Sequence, residues 1–293
     1  MSSSARIAMF VFLLLVSHSA ASAGVVQLGQ GVLIDDEYGA VIAGGPGEAV
    51  SAIRMADGER LWRSRVDAVP VMVHGDYIVA VESAAKAGVL KLVTLDRRNG
   101  KRVARATAEL PVGVLASMAP DVSSRFELQP HPQFAASRLV WSFTPSSRGD
   151  EKLRALPQSG VLRVDPATAR AGALDMSAPQ IDQRAARLSV SFAGSSDPAF
   201  FSADRTHVIV SRRREDAPGF EWALYDRDSR LLGRVHARTA YAPFAVRGDV
   251  LLVLRASARG WRTKSSPSTQ IKALDWRDAQ LRWERSLSPN QAR

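Results

Sequence analysis

The sequence predicts an all-β fold, a β-propeller of about five to six four-stranded antiparallel blades. Three observations carry this. First, residues 52–62 (AIRMADGERLW) and 273–283 (ALDWRDAQLRW) share an apolar strand end, a polar turn with Asp at the sixth place, and a Trp five residues further on. Each reads as a hairpin, and in the first copy Asp57-Gly58 supplies the positive φ of a tight turn. Second, another hairpin recurs upstream of it. Residues 32–42 (VLIDDEYGAVI), 71–79 (VMVHGDYIV) and 244–252 (FAVRGDVLL) align, with Pro70 and Pro243 at the same offset before the last two. Third, the residues that begin the second turns, Arg54, Asp96, Asp165, Asp226 and Asp275, are spaced by 42, 69, 61 and 49 residues. The shortest interval is that of a propeller blade, about 40–50 residues, and the two longest carry extra loop. A β-sandwich with similar turns is the competing architecture, but matched first and second hairpins in each unit favour the propeller.

Residues 1–23 read as a secretory signal peptide: Arg6 ends a short charged lead, residues 7–16 are apolar, and Ala21-Ser22-Ala23 forms a cleavage site before Gly24. An apolar run of ten residues is too short to cross a bilayer, which takes about 20. An uncleaved anchor is the alternative. Residues 24–293 are expected to form one propeller domain, and 270 residues are ample to bury a core. The short segment 25–28 (VVQL) is left over once the first unit is assigned. It is expected to close the ring by pairing with the last blade, bringing Val26 near Glu284.

The second unit continues through 89–95, the turn Asp96-Arg97-Arg98-Asn99-Gly100 and 101–106; its Asn-Gly pair is a strong hairpin signal. A third, looser unit covers 133–143, a polar loop over 144–151 that could add a turn of helix near 150–156, and 161–169. A fourth runs through Phe200-Phe201, the turn 202–205, 206–210 and 222–229. The fifth occupies 241–287 with a loop at 264–268 inserted. A lone unit of this kind cannot cover both faces of its sheet, so each depends on neighbours.

Composition excludes several function classes. The chain has no cysteine, so no disulfide, no thiolate nucleophile or thiolate metal site, and no lipid-modified cysteine as a membrane anchor. The net charge of +10 and a pI near 10.6 favour anionic partners. Only six of the 39 basic residues are lysine. The longest basic run, Arg212-Arg213-Arg214, is followed at once by Glu215 and Asp216, the pattern of a solvated edge strand or loop. Such interleaving, together with export, argues against nucleic acid as the partner.

The pattern apolar-Leu-Asp-x-x-x-Gly-x-x-x-Trp, present as Leu95-Asp96 with Asn99-Gly100 and as Leu274-Asp275 with Trp283, resembles the repeat of the quinoprotein-like (PQQ-like) β-propellers. In that family the Trp and the Asp-containing turn dock one blade on the next. Here Arg54 replaces the Asp in the first unit, Ala279 the Gly in the fifth, and the middle units lack the Trp. The family holds quinone-dependent dehydrogenases and non-catalytic scaffolds of the BamB type. The resemblance implies a propeller and not a quinone: the dehydrogenases are longer and use a vicinal disulfide and calcium, so the kinship expected is architectural, with the scaffold kind and no cofactor, and the absent cysteine forbids a lipid anchor.

Among candidate site residues, His74, His131, His207 and His236 lack the i, i+4 spacing of a zinc pair and read as turn or surface histidines. Asp35-Asp36-Glu37 lacks the spaced loop that wraps calcium. Gly44-Gly45-Pro46-Gly47 reads as a loop, and no nucleophile elbow or phosphate loop occurs. Trp62 and Trp283 are expected to pack between blades. No catalytic, cofactor or metal residues are therefore assigned. The binding residues picked out are Trp261 and Arg262, at the mouth of a polar loop, and Arg212 and Arg213. The expectation is a periplasmic or secreted scaffold with no membrane span that binds a protein partner in the cell envelope. The alternatives are a propeller enzyme with its site at the channel mouth, or an electrostatic binder of anionic envelope polymers.

Overall fold

The computed structural model describes residues 25–29, 31–45, 48–82, 89–109, 125–130, 138–144, 159–174, 197–256 and 269–287. Among these residues there is no helix, and twenty strands pair antiparallel in sequence order. Among the described residues they form one eight-stranded sheet and three four-stranded sheets; the first divides within its fifth strand, giving five blade-like units, called blades 1–5. Blade 1 holds β1 (Val25–Gly29), β2 (Val32–Asp35), β3 (Ala40–Gly45), β4 (Glu48–Arg54) and the first half of β5 (Arg60–His74). Blade 2 holds the second half of β5, then β6 (Tyr77–Glu82), β7 (Val89–Asp96) and β8 (Arg102–Glu109). Blade 3 holds β9 (Arg125–Pro130), β10 (Arg138–Thr144), β11 (Ser159–Val164) and β12 (Ala171–Leu174). Blade 4 holds β13 (Ala199–Phe201), β14 (Val208–Arg213), β15 (Phe220–Tyr225) and β16 (Leu231–Ala237). Blade 5 holds β17 (Phe244–Arg247), β18 (Val250–Ala256), β19 (Thr269–Asp275) and β20 (Leu281–Leu287).

Burial explains why the inner strands are continuous apolar runs while the outer ones alternate. All of β2 is buried, whereas β8 is exposed at most of its positions. An inner strand is covered on both faces because a neighbouring blade lies against each. In β2, Val32 and Ile34 point into a core shared with Ala245, Leu252 and Ile271 of blade 5. Leu33 between them points into a core shared with Ile78, Val93 and Leu95 of blade 2. The two-residue period of a strand thus divides one sequence between two seams. Val79, Leu90 and Leu92 of blade 2 pack on Leu139, Trp141 and Leu162 of blade 3, and Ile209 and Trp222 of blade 4 on Phe244 and Leu251 of blade 5. The packing order is therefore blade 3, 2, 1, 5, 4. Among the described residues no apolar cluster joins blade 3 to blade 4; Val208, Val210 and Ala223 form a separate cluster on the blade 4 face turned away from blade 5.

Two backbone features recur at the second turns. The fourth residue after the first has positive φ in four blades: Gly58, Gly100, Ala169 and Ala279. Blade 4 shortens the turn by one and uses Ser229. Where the turn begins with Asp, its carboxylate accepts the N–H two residues on, as from Arg98 to Asp96 (2.8 Å), Ala167 to Asp165 (3.0 Å), Asp228 to Asp226 (3.0 Å) and Arg277 to Asp275 (3.0 Å). This Asx turn fixes the loop locally. In blade 1 the roles exchange: Arg54 donates to Asp57 and Glu59, and Asp57 accepts the Glu59 N–H.

Trp62 and Trp283 dock on these turns, as their spacing predicts. The Trp62 indole donates to Arg97 O of blade 2 (3.0 Å), and Trp283 of blade 5 donates to Met55 O of blade 1 (2.8 Å). Each ring lies where a side chain on the turn glycine would project. A Cβ on Gly100 would sit 2.3 Å from Trp62, and one on Gly58 2.5 Å from Trp283. Blade 4 has Gly233 at the Trp place, and its missing side chain admits the Trp276 backbone of blade 5, whose oxygen is 2.3 Å from where a Cβ would be.

Four expectations are corrected. β1 does not pair with blade 5; it folds back on β2, with Val26 opposite Ile34. A local hairpin closes a far shorter loop than pairing with the opposite end of the chain, and Gly31 supplies the positive φ it needs. The contribution of β1 to the blade 1 and blade 5 seam is apolar instead, through Val26 and Leu28. Blade 3 begins with β9, a strand that its charged and polar sequence RFELQP hides. Gly44 and Gly45 belong to β3, not to a loop. At Gly44 a Cβ would lie 2.4 Å from Ala68 O, so the glycine lets β5 cross close by on its way from blade 1 to blade 2. Finally, β14 is an edge only at its end: β13 pairs with Val208, Ile209 and Val210, leaving Arg212 and Arg213 beyond it. The inserted loop at 264–268, the segment 150–156 and the leader lie outside the described residues.

The docking geometry predicts coupling between ring and turn. W62A should cost about 3–5 kcal/mol in urea unfolding. G100A, which meets both the ring and a positive φ of 69°, should also destabilise. The double variant should cost less than the sum of the two single variants, because removing the ring frees the space.

Candidate functional site

First and second turns share one rim. Met55 N–H donates to Gly39 O (2.9 Å), Arg97 N–H to Asp76 O (2.9 Å) and Trp276 N–H to Asp249 O (3.2 Å), the same bond in blades 1, 2 and 5. Carboxylates concentrate here because the turns are built from Asp, and arginines meet them.

Between blades 1 and 2 the Arg97 and Asp35 side chains are 4% and 1% exposed and form a two-pronged pair, Nε to Oδ2 at 2.6 Å and Nη2 to Oδ1. Nη1 donates to Glu37 and to Gly75 O, both at 2.9 Å, and the guanidinium lies 4.2 Å from the Tyr38 ring centre. A buried charge survives only with such full satisfaction.

Where blades 4, 5 and 1 meet, Arg247 joins all three. From β17 its Nε donates to Asp36 of blade 1 (2.5 Å) and its Nη1 to Asp204 of blade 4 (2.6 Å). Asp204 also accepts from Ser202 Oγ (2.7 Å), Thr206 Oγ1 (2.7 Å) and the Thr206 N–H (3.1 Å). Burial alone would push its carboxyl up, but the Ser202, Thr206 and Arg247 donors outweigh it and hold it down at about 2. Beside it His207 Nδ1 lies 2.7 Å from Thr206 Oγ1. Burial lowers the imidazole below its ordinary value, helped by Arg247 and Arg227 and opposed by Asp204 and Asp226. This is a convergence of Asp, Arg and His from three blades.

On the outer side of blade 5, Arg282 bridges Asp249 and Asp275 at 2.5 Å each, and Arg277 contacts both as well. Hydrogen bonds from Arg277 and then Arg282 hold the Asp275 carboxyl well below the usual range. Away from this rim, burial raises the Glu48 carboxyl against the pull of Arg63. Among the described residues no group of three or more His, Asp or Glu side chains is placed to hold a metal ion, and no helix is long and apolar enough to cross a membrane.

Of the predicted binding residues, Arg212 and Arg213 are exposed at the end of β14, at the end of blade 4 remote from the turn rim, with Arg212 paired to Asp197 at 3.1 Å. They do not join the rim cluster. Trp261 and Arg262 lie outside the described residues. Sequence reasoning missed Arg97 and Arg247 because single arginines in turns carry no spacing signal, and it placed His207 and Asp36 only as turn residues.

No protein-family model matches the chain, and no curated protein does. Solved structures similar to it include BamB from Moraxella catarrhalis, at 14% identity and a TM-score of 0.30 over 86% of this chain and 62% of that one. Quinohemoprotein alcohol dehydrogenase from Comamonas testosteroni matches at 10% identity and 0.30, over 88% of this chain and 53% of that one. The Cps50 (Swd1) β-propeller domain from Myceliophteria thermophila matches at 11% and 0.30, over 86% and 68%. The chain thus spans less than two thirds of the first two proteins. At such TM-scores these likenesses do not establish the architecture, which rests on the strand pairing and seams described above.

Two outcomes follow for the rim. R97M strands a buried Asp35 and should cost about 3–5 kcal/mol, while R97M/D35L should recover much of that loss in thermal unfolding. D204N should lose about 1–3 kcal/mol at neutral pH. Because the folded carboxyl sits near 2 and the ordinary value is 3.8, that gap should hold above 3.8 and close as pH falls toward 2.

Proposed function

We propose that the chain is an exported β-propeller of the PQQ-like kind, with five to six blades, acting as a non-catalytic scaffold for a protein partner in the cell envelope. The observation that carries this is where its exposed apolar side chains stand. Five large ones are exposed among the described residues: Tyr38, Leu61, Val103, Leu231 and Leu281. The last four stand at the start of the outermost strand after the second turn in four blades, Leu231 and Leu281 as its first residue and Leu61 and Val103 as its second, one register position on. Each has an arginine beside it, Arg60, Arg102, Arg230 and Arg282. A single exposed leucine needs no explanation, but an apolar residue and an arginine recurring together at the start of four outer strands set a band of apolar and cationic groups along the rim, suited to a protein surface. Many rim carboxylates, Asp35, Asp36, Asp204, Asp249 and Asp275 among them, are meanwhile engaged in ion pairs between and within blades. Export rests on the leader at residues 1–23, and the absence of cysteine is consistent with attachment through partners and not through lipid.

A second reading, a propeller enzyme, is favoured by the meeting of Asp36, Arg247, Asp204 and His207. An electrostatic polymer binder differs from both by weakening steeply with salt.

A photo-crosslinking residue placed at Leu61 or Leu281 in intact cells should yield one discrete protein adduct, lost when the other band positions carry Asp. Adducts to polysaccharide alone, or none, would contradict the scaffold. The exported protein should begin at Gly24 on N-terminal sequencing; a membrane-bound form beginning at Met1 would overturn the leader assignment.

A further inference from the structure

The polar turn that opens blade 4 fixes more than its own shape. The carboxylate of Asp204, held ionised by four donors from Ser202, Thr206 and Arg247, can only accept. The Thr206 hydroxyl has one proton, and at 2.7 Å from Asp204 Oδ1 it gives that proton to the carboxylate. Toward His207 Nδ1, also 2.7 Å away, the same oxygen is then left to accept. Nδ1 must therefore carry the ring proton. The main chain holds the arrangement in place: the His207 and Thr206 N–H groups both donate to Ser202 Oγ, at 2.9 and 3.0 Å. In the neutral ring Nε2 is left with a lone pair, and no described residue donates to it.

We propose that His207 is a general base of this rim, taking through Nε2 the proton of a hydroxyl group, that of water or an alcohol, as the hydroxyl oxygen becomes a nucleophile. The step balances without a redox partner: the O–H bond breaks, its electron pair stays on oxygen, and the proton forms the new N–H bond. The imidazolium so formed is steadied by the Asp204 charge relayed through Thr206, the role a carboxylate plays behind a catalytic histidine. Around the ring stand Asp204 and Asp226, which favour its protonation, and Arg247 and Arg227, which oppose it. This rests on the second, enzyme reading and not on the non-catalytic one; if it holds, the outer-strand band still serves to bind a partner but the protein is more than a scaffold.

Two measurements on the intact exported protein test it. Long-range nitrogen-15 correlation spectra at neutral pH should show His207 as the Nδ1–H tautomer, and T206V should convert it to a mixture. Diethyl pyrocarbonate, an electrophile that modifies unprotonated imidazole, should label His207 with a rate that rises through a midpoint below about 6.5. An Nε2–H tautomer, a T206V spectrum like the parent, or a His207 that resists the reagent while His74 and His236 react would each overturn the proposal. H207Q should leave the crosslinked partner adduct unchanged, so loss of one reading does not entail loss of the other.

Discussion

The structure depends on contact between the outer strand of one blade and the second turn of the next, made by a ring over a turn glycine at the 1–2 and 5–1 seams and by the Trp276 backbone against Gly233 at the 4–5 seam. A four-stranded sheet of this size has two apolar faces and nothing of its own to cover them. Trp62 over Gly100 and Trp283 over Gly58 are the fullest versions, each combining ring burial with an indole hydrogen bond to a turn carbonyl. The second of these joins blade 5 to blade 1 across 228 residues of sequence. Arg285 reinforces it by donating twice to Gly58 O, at 3.0 and 2.8 Å. First and last blades are therefore held by side chains and not by exchange of a strand.

The electrostatics of the rim follow from the same requirement. Asp is used at the turns because its carboxylate satisfies a turn N–H, and stacking the turns side by side would gather uncompensated negative charge. Arginine resolves this where lysine would not. Arg97 and Arg247 each serve two carboxylates and a carbonyl at once, a task for a planar fork with five donors. The six lysines against 33 arginines in the chain fit such demands.

The repeated hairpins made the blades legible because positive φ and Asx geometry leave a residue signature, and the Trp spacing gave the seam. Physics that acts across the chain was not legible. The β1 segment reads equally well as a strand for either partner, and only the nearness of β2 decides. β9 lacks an apolar run, so no period marks it. The rim cluster brings Asp36 to Arg247 and His207, each more than 150 residues from it, which no local pattern can reveal; the sequence shows Asp36 only as one turn residue among three acids. Arg212 and Arg213 are conspicuous in sequence as a run of like charge, and the structure places them on the solvated strand end that their interleaving with acids implies.

The seam between blades 5 and 1 can be measured on the native chain through its own tryptophan. In a proton NMR spectrum the Trp283 indole ring should show nuclear Overhauser contacts to the Gly58 α protons, and its N–H should exchange slowly with deuterated water. A Trp283 indole that exchanges as fast as a free side chain, without contact to Gly58, would mean that the first and last blades do not meet.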